Sequence, residues 1–208
     1  MVGGGGHCRS VLDCLLRSGA YDEIGAVDRD PEAGLSLLGI PVIGKDDDLP
    51  ALFAAGWTNA AVTLGSVGHP DRRRALFRRL KEIGFALPVI TDDSSVIGCE
   101  VTLGEGTFVG KRAVVNCRVK TGQCAIINTG AIVEHDCRIG SFAHISPGAV
   151  LCGEVHIGEN THIGAGSVVR QQIEVGRDSI VGAGSVVVRN IPDGSKAYGN
   201  PCREVSAL

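Results

Sequence analysis

From Ile97 onward an aliphatic side chain recurs every six residues. The series runs Leu103, Val109, Val115, Thr121, Ile127, Val133, Ile139, Ile145, Leu151, Ile157, Ile163, Val169, Val175, Val181 and Val187, so fifteen of the sixteen positions are aliphatic. Glycine follows at 98, 104, 110, 122, 140, 158, 164, 176 and 182, and the fifth place of the hexad is small or aliphatic, as at Thr107, Ala113, Ala125, Ala131, Ala143, Ala149, Ser167 and Ser185. A period of six fits neither the roughly 3.6 of an α-helix nor the alternation of a strand, and it holds one register without an insertion. Short strands separated by tight turns explain it, and such a chain must coil.

The segment resembles the hexapeptide-repeat proteins, in which three hexads make one triangular coil of a left-handed parallel β-helix with the aliphatic residue pointing inward. Sixteen hexads then give a little over five coils. The front of the chain lacks this period. It predicts a glycine turn at VGGGGH, a helix over Arg9 to Ser18, a strand over Glu23 to Asp28 and a short strand over Pro41 to Gly44. A helix from about Asp48 to Ala55, capped by Asp47 or Asp48, comes next. A strand over Ala60 to Leu64, a helix over Pro70 to Ile83 closed by Gly84, and a strand over Leu87 to Ile90 complete the front. Strand and helix in alternation imply a small parallel, Rossmann-like α/β domain over 1–92, followed by the β-helix and a C-terminal tail over 93–208.

Composition narrows the function. Glycine is 30 of 208 residues and aromatics are 4%, which disfavours a helical bundle. The net charge of −3 and a single Arg-rich stretch argue against a nucleic-acid reader. The eight cysteines form no CxxC pair, so reduced thiols are expected. Neither an apolar run of about 18 residues nor a secretory signal is present, so the expected location is cytoplasmic. Only Met1 and Val2 precede the glycines, where a parallel sheet calls for a strand of about four to eight residues. Either the sheet begins with a stub at Val2 or the reading frame extends upstream.

Two clusters read as structural. Arg72, Arg73, Arg74, Arg78 and Arg79, beside Leu76, Phe77, Leu80 and Ile83 at core spacing, read as a solvated helix face. Asp46, Asp47 and Asp48 read as a helix start rather than a metal site. Glycines 3 to 6 before a helix would let backbone N–H groups approach a phosphate, although a glycine-rich turn alone is weak evidence.

Four of the six histidines, His135, His144, His156 and His162, fall within the repeat. With eighteen residues to a coil, His135 lies one coil below Gly153 and His144 one coil below His162. His135, third in its hexad, should point outward between Glu134 and Asp136, where a carboxylate can hold Nδ1–H while Nε2 accepts a proton. Gly153 could present its N–H to a developing oxyanion. Cys137 takes an inward place and reads as an inert thiol rather than a nucleophile.

The segments INTGAIVEHDCRIGSFAHISPGAVLCGEVHIG and VGAGSVVVRNIPDGSKAYGNP resemble bacterial hexapeptide-repeat sugar acetyltransferases. The likeness is to the group that N-acetylates nucleotide-linked amino sugars and to the related sialic acid O-acetyltransferases. It covers nearly the whole chain, since GGGGH in the front domain matches that group's nucleotide-sugar-binding domain. The resemblance implies His135 as catalytic base with Asp136 as its acidic neighbour, Asn128 in the sugar pocket, and His144 near the acetyl thioester. It also implies Gly153 as donor to the thioester carbonyl, with acetyl-CoA running past Ala165, Ala183, Asn200 and Pro201. Gly4, Gly5, Gly6, His7 and Asp28 would grip the nucleotide. Arg29 stands where a second acidic residue is often found, and Cys202 follows GNP where alanine is usual.

The expected activity is acetyl transfer from acetyl-CoA to a nucleotide-linked 4-amino-4,6-dideoxy sugar in bacterial glycan biosynthesis, within a homotrimer that has its sites between chains. The alternatives are an O-acetyltransferase acting on a sugar or sialic acid hydroxyl, a solenoid metal enzyme of carbonic anhydrase type, and a binding protein without catalysis.

Overall fold

A computed structural model of the chain describes residues 1–29, 38–65 and 70–207. The repeat forms a left-handed parallel β-helix whose two-residue strands stack in register, each coil eighteen residues above the last, as in the pairing of His144 with His162 and Ile145 with Ile163. Three faces result. The first carries Lys120–Thr121, Arg138–Ile139, His156–Ile157 and Glu174–Val175. The second starts at Ile90–Thr91, runs through Phe108–Val109, Ile126–Ile127, His144–Ile145, His162–Ile163 and Ile180–Val181, and ends in the hairpin Ser195–Gly199 and Cys202–Ala207. The third carries Val96–Ile97, Val114–Val115, Ile132–Val133, Val150–Leu151, Val168–Val169 and Val186–Val187.

Hexad aliphatics such as Val109, Val133, Ile145, Leu151 and Val181 have no solvent exposure and form the core of the prism. Thr121, the polar exception, is also buried. Its hydroxyl accepts the Gly104 N–H at 3.0 Å and lies 3.3 Å from the Thr107 hydroxyl, so it carries no unpaired polar atom inward.

The front residues form a small parallel sheet. Val2 bridges to Val27 and Val62, and Ala26–Val27 pairs with Val42–Gly44. Val2 makes one bridge on each side. The sheet is sparser than the sequence suggests. The expected strand over Glu23 to Asp28 contracts to Ala26–Val27, and Ala60 to Leu64 contributes only the bridge at Val62. The stretch expected as a front-domain strand over Leu87 to Ile90 instead supplies Ile90–Thr91, the first rung of the second solenoid face, paired with Phe108–Val109. Its apolar run fits either sheet, and pattern alone does not say which neighbour it joins.

Among the described residues three α-helices accompany the sheet: α1 (Gly6–Ser18), α2 (Leu49–Ala54) and α3 (Asp71–Ile83, closed by Gly84 at φ 114°). Helix α1 starts within the glycine turn, ahead of the expected Arg9. Asp48 stands at the α2 N-cap, yet its carboxylate accepts the Lys45 N–H at 2.8 Å and closes a short 3₁₀ turn over Asp46–Asp48 instead. Among the described residues, no helix is long and apolar enough to cross a membrane.

Helix α1 lies on the lower coils of the second face, where Val11, Cys14 and Leu15 pack on Ile90, Phe108 and Ile126. Lys111 ties the two together by pairing with Asp13 of α1 and with Asp92 at 3.0 Å. Burial alone would raise the Asp92 carboxyl, but hydrogen bonds from Ser94 and Lys111 outweigh it and hold the group at about 2. The reading of the arginine run as a solvated face fails at Arg73, while Arg72 and Arg78 are exposed. Arg73 is 1% exposed, and its guanidinium donates to the carbonyls of Cys124 and, at 3.2 Å, of Phe142, on successive coils. A helical pattern cannot reveal a guanidinium turned toward another element's carbonyls.

Candidate active site

The turn after Ile132–Val133 carries His135 and Asp136 at the edge between the third and first faces. Asp136 adopts the left-handed conformation at φ 61°, like Arg118, Glu154 and Gln172 in the equivalent turns. There its Oδ2 lies 3.0 Å from His135 Nδ1 and its Oδ1 3.2 Å from Arg118 Nε. The hydrogen bond from His135 and then the Arg118 charge hold the Asp136 carboxyl below its ordinary value. Since the carboxylate accepts Nδ1–H, Nε2 is the ring atom left to take a proton.

Gly153 occupies the same place one coil higher. A Cβ built on it would lie 2.6 Å from both Cε1 and Nε2 of His135, so the ring rests on the space that glycine leaves. Cys137 is fully buried, donates its thiol to the Cys152 carbonyl at 3.2 Å, and is pushed up to about 11 by desolvation, which makes it a poor nucleophile.

Asn128 and His144 form a separate group near the edge between the second and third faces. The Thr129 N–H donates to Asn128 Oδ1 at 2.8 Å, which turns Nδ2 toward His144 Nε2 at 3.1 Å and makes that nitrogen the acceptor. The His144 and His162 rings meet edge to face at 5.0 Å, and His162 Nε2 lies 3.3 Å from Ser146 Oγ. Burial lowers His162 and favours its neutral form. Within one chain, therefore, His135 and His144 stand at opposite edges of the third face.

Of the residues expected to hold acetyl-CoA, Ala165, Ala183, Asn200 and Pro201 gather at the upper end of the second face, whereas Gly153 lies across the third face beside His135. Ala165 and Ala183 are exposed in stacked turns, with the Gly184 N–H on the Ala165 carbonyl at 2.8 Å. The hairpin turn containing Asn200 and Pro201 lies alongside, tied by Gly199 N–H to Ser185 Oγ at 3.1 Å. In the front domain, the Gly4 N–H donates to Asp28 Oδ2 at 2.5 Å, and a Cβ on Gly4 would meet that oxygen at 2.7 Å. Asp28 thus shapes the glycine turn, while Gly5 and Gly6 are open on the Cβ side. His7 sits edge-on to Phe108 at 5.3 Å. Burial, then the Arg73 charge, pushes His7 down to about 4, so it is neutral near pH 7.

Sequence reasoning missed Arg118 beside Asp136, and Asn116, whose amide donates to Glu134 Oε2 at 2.8 Å. Subtracting one coil from positions 134 and 136 would have found both.

Residues 1–80 match the PglD N-terminal domain, and residues 154–189 match the bacterial transferase hexapeptide family. Among curated protein sequences none matches the chain. PerB from Caulobacter crescentus, solved in complex with CoA and GDP-perosamine, is 38% identical with a TM-score of 0.92, over 99% of this chain and 95% of that one. The acetyltransferase domain of PglB from Neisseria gonorrhoeae is 36% identical with a TM-score of 0.91, over 98% and 97%. WeeI from Acinetobacter baumannii is 25% identical with a TM-score of 0.83, over 98% and 97%.

Proposed function

The chain belongs to the bacterial hexapeptide-repeat sugar N-acetyltransferases with a PglD-type front domain, and on that premise we propose that it acetylates the amine of a nucleotide-linked 4-amino-4,6-dideoxy sugar. Acetyl-CoA is the acyl donor, and the reaction serves bacterial glycan biosynthesis in the cytoplasm. The observation that carries the mechanism is His135, held at Nδ1 by Asp136 and seated against Gly153.

His135 Nε2 removes a proton as the sugar amine attacks the thioester carbonyl. Asp136 fixes the ring and balances the imidazolium, and the Gly153 N–H donates to the developing oxyanion. Collapse forms the amide and breaks the C–S bond, and the proton passes to the departing thiolate. No acyl-enzyme is required. Residues 1–92 would bind the nucleotide through Gly4, Gly5, Gly6, His7, Asp28 and Arg29, while residues 93–208 would supply the base and the coenzyme turns. The test is CoA thiol release with a panel of UDP-, GDP- and dTDP-linked amino sugars beside their hydroxyl counterparts. Turnover of the hydroxyl sugars alone would move the chain to O-acetylation.

A homotrimer with sites between chains agrees with two features. The outward positions of the third face are Val96, Val114, Ile132, Val150, Val168 and Val186, an apolar stripe with Val96 59% exposed, while the first face turns Lys120, Arg138, His156 and Glu174 to solvent. His135 and the Asn128–His144 pair flank that stripe, so apposing copies through it would bring the base of one chain toward the sugar pocket of the next. Val150→Glu should therefore convert a sedimenting trimer to monomers and abolish turnover. A wild-type monomer with full activity would end this assembly model.

Asp136→Asn keeps an acceptor for Nδ1–H but loses the charge opposite the imidazolium. The expected result is a fall of about tenfold in kcat, less than for loss of the base itself, with KM for acetyl-CoA unchanged, measured by steady-state thiol release.

A further inference from the structure

Resting on the nucleotide-sugar reading above, we infer that Arg72 and Arg79 of α3, together with Arg29, are the residues that bind the diphosphate of the substrate. The arginines of α3 divide by direction. Arg73 is consumed by the solenoid carbonyls, and Arg74 lies 3.9 Å from Asp71 one turn away. Arg72, Ala75, Leu76 and Arg79 follow the i, i+3, i+4, i+7 stripe of one helix face, and all four line a cavity of about 300 Å³.

Across that cavity stand Arg29 and Asp28 at the end of Ala26–Val27, with Val2, Gly3 and Leu64 from the neighbouring segments. The cavity therefore opens at the carboxyl ends of the parallel strands and reaches the start of the glycine turn. That is the end of an α/β sheet at which ligands collect.

Donor geometry identifies the ligand. Arg29, Arg72 and Arg79 line the space together with Asp28 and Asp46, and Asp28 already accepts the Gly4 N–H. Arg79 reaches an exposed Asp47 at 3.2 Å, whereas among the described residues neither Arg29 nor Arg72 has a carboxylate within ion-pair distance. Planar forked donors suit the paired phosphates of a nucleoside diphosphate, each able to accept two N–H groups. Val2, Leu64, Ala75 and Leu76 leave an apolar wall for the nucleoside.

The test is calorimetric titration of the full chain with GDP, UDP and dTDP, each beside its monophosphate, for wild type, Arg72→Gln, Arg79→Gln and the double variant. Wild type should bind at least one diphosphate about tenfold or more tightly than its monophosphate, with an affinity that falls as salt rises. In the double variant that preference should collapse toward one, with the melting temperature and KM for acetyl-CoA unchanged, and Arg72→Lys should recover part of it. A diphosphate preference that survives both substitutions overturns the assignment, as does a wild type that binds none of the three diphosphates. A protein that binds diphosphate through these arginines yet releases no CoA thiol with any amino sugar upholds this assignment and refutes the catalytic reading.

Discussion

Replacing His135 by alanine should lower kcat by about 10² to 10⁴, the usual contribution of a general base, while KM for acetyl-CoA stays near the wild-type value. The separation is expected because the ring sits at one edge of the third face and Ala165, Ala183 and the Asn200–Pro201 turn belong to the other. Half-exposed at its turn, with a side chain 49% accessible, His135 contributes little packing, so the variant should melt like the parent. Turnover close to wild type would mean that the amine loses its proton elsewhere, and the mechanism would have to be abandoned.

Gly153→Ala should be nearly as damaging, although it adds one methyl group. That carbon would stand 2.6 Å from two ring atoms of His135, well inside contact distance, so the imidazole must swing away from the position in which Asp136 holds it. Displacement of a catalytic group by about 1 Å can cost about 10² in rate, and a loss of that order is expected. Gly153 does not occupy the left-handed region, so alanine imposes no backbone strain and the fold should survive. Because both changes act through one ring, the double variant should be no slower than His135→Ala alone. An active Gly153→Ala enzyme would show that the observed seat of the ring is not its working position.

Legibility in the sequence followed the regularity of each region. A period of six held over the whole repeat makes the height and edge of every solenoid residue a matter of arithmetic. The stacking of His135 under Gly153 and of His144 under His162 was therefore readable without coordinates. The ion pair from Arg118 to Asp136 obeys the same arithmetic and was there to be found. The front domain offers no such ruler. Its strands are two or three residues long, too short for a pattern to mark their ends, and Ile90 joined the solenoid because Phe108 was available as a partner. Arg72, Arg73 and Arg79 are chemically identical in a sequence. What separates them is the surroundings: solenoid carbonyls on one side of α3 and an α/β cavity on the other.

The guanidinium of Arg73 has a wider meaning than the two hydrogen bonds it makes. It fastens the helix that borders the front-domain cavity to two successive rungs of the prism, and Lys111 fastens α1 to the prism as well. These two ties hold the front domain against the prism, so on the proposed reading nucleotide recognition and acetyl transfer keep a fixed separation. The entropy of aligning the two sites is then lost once, during folding, and not again in each catalytic cycle. Such rigidity makes the cleft a gauge of substrate length. An acceptor sugar whose amine lies one bond nearer to or farther from its phosphates would bind and yet fail to react.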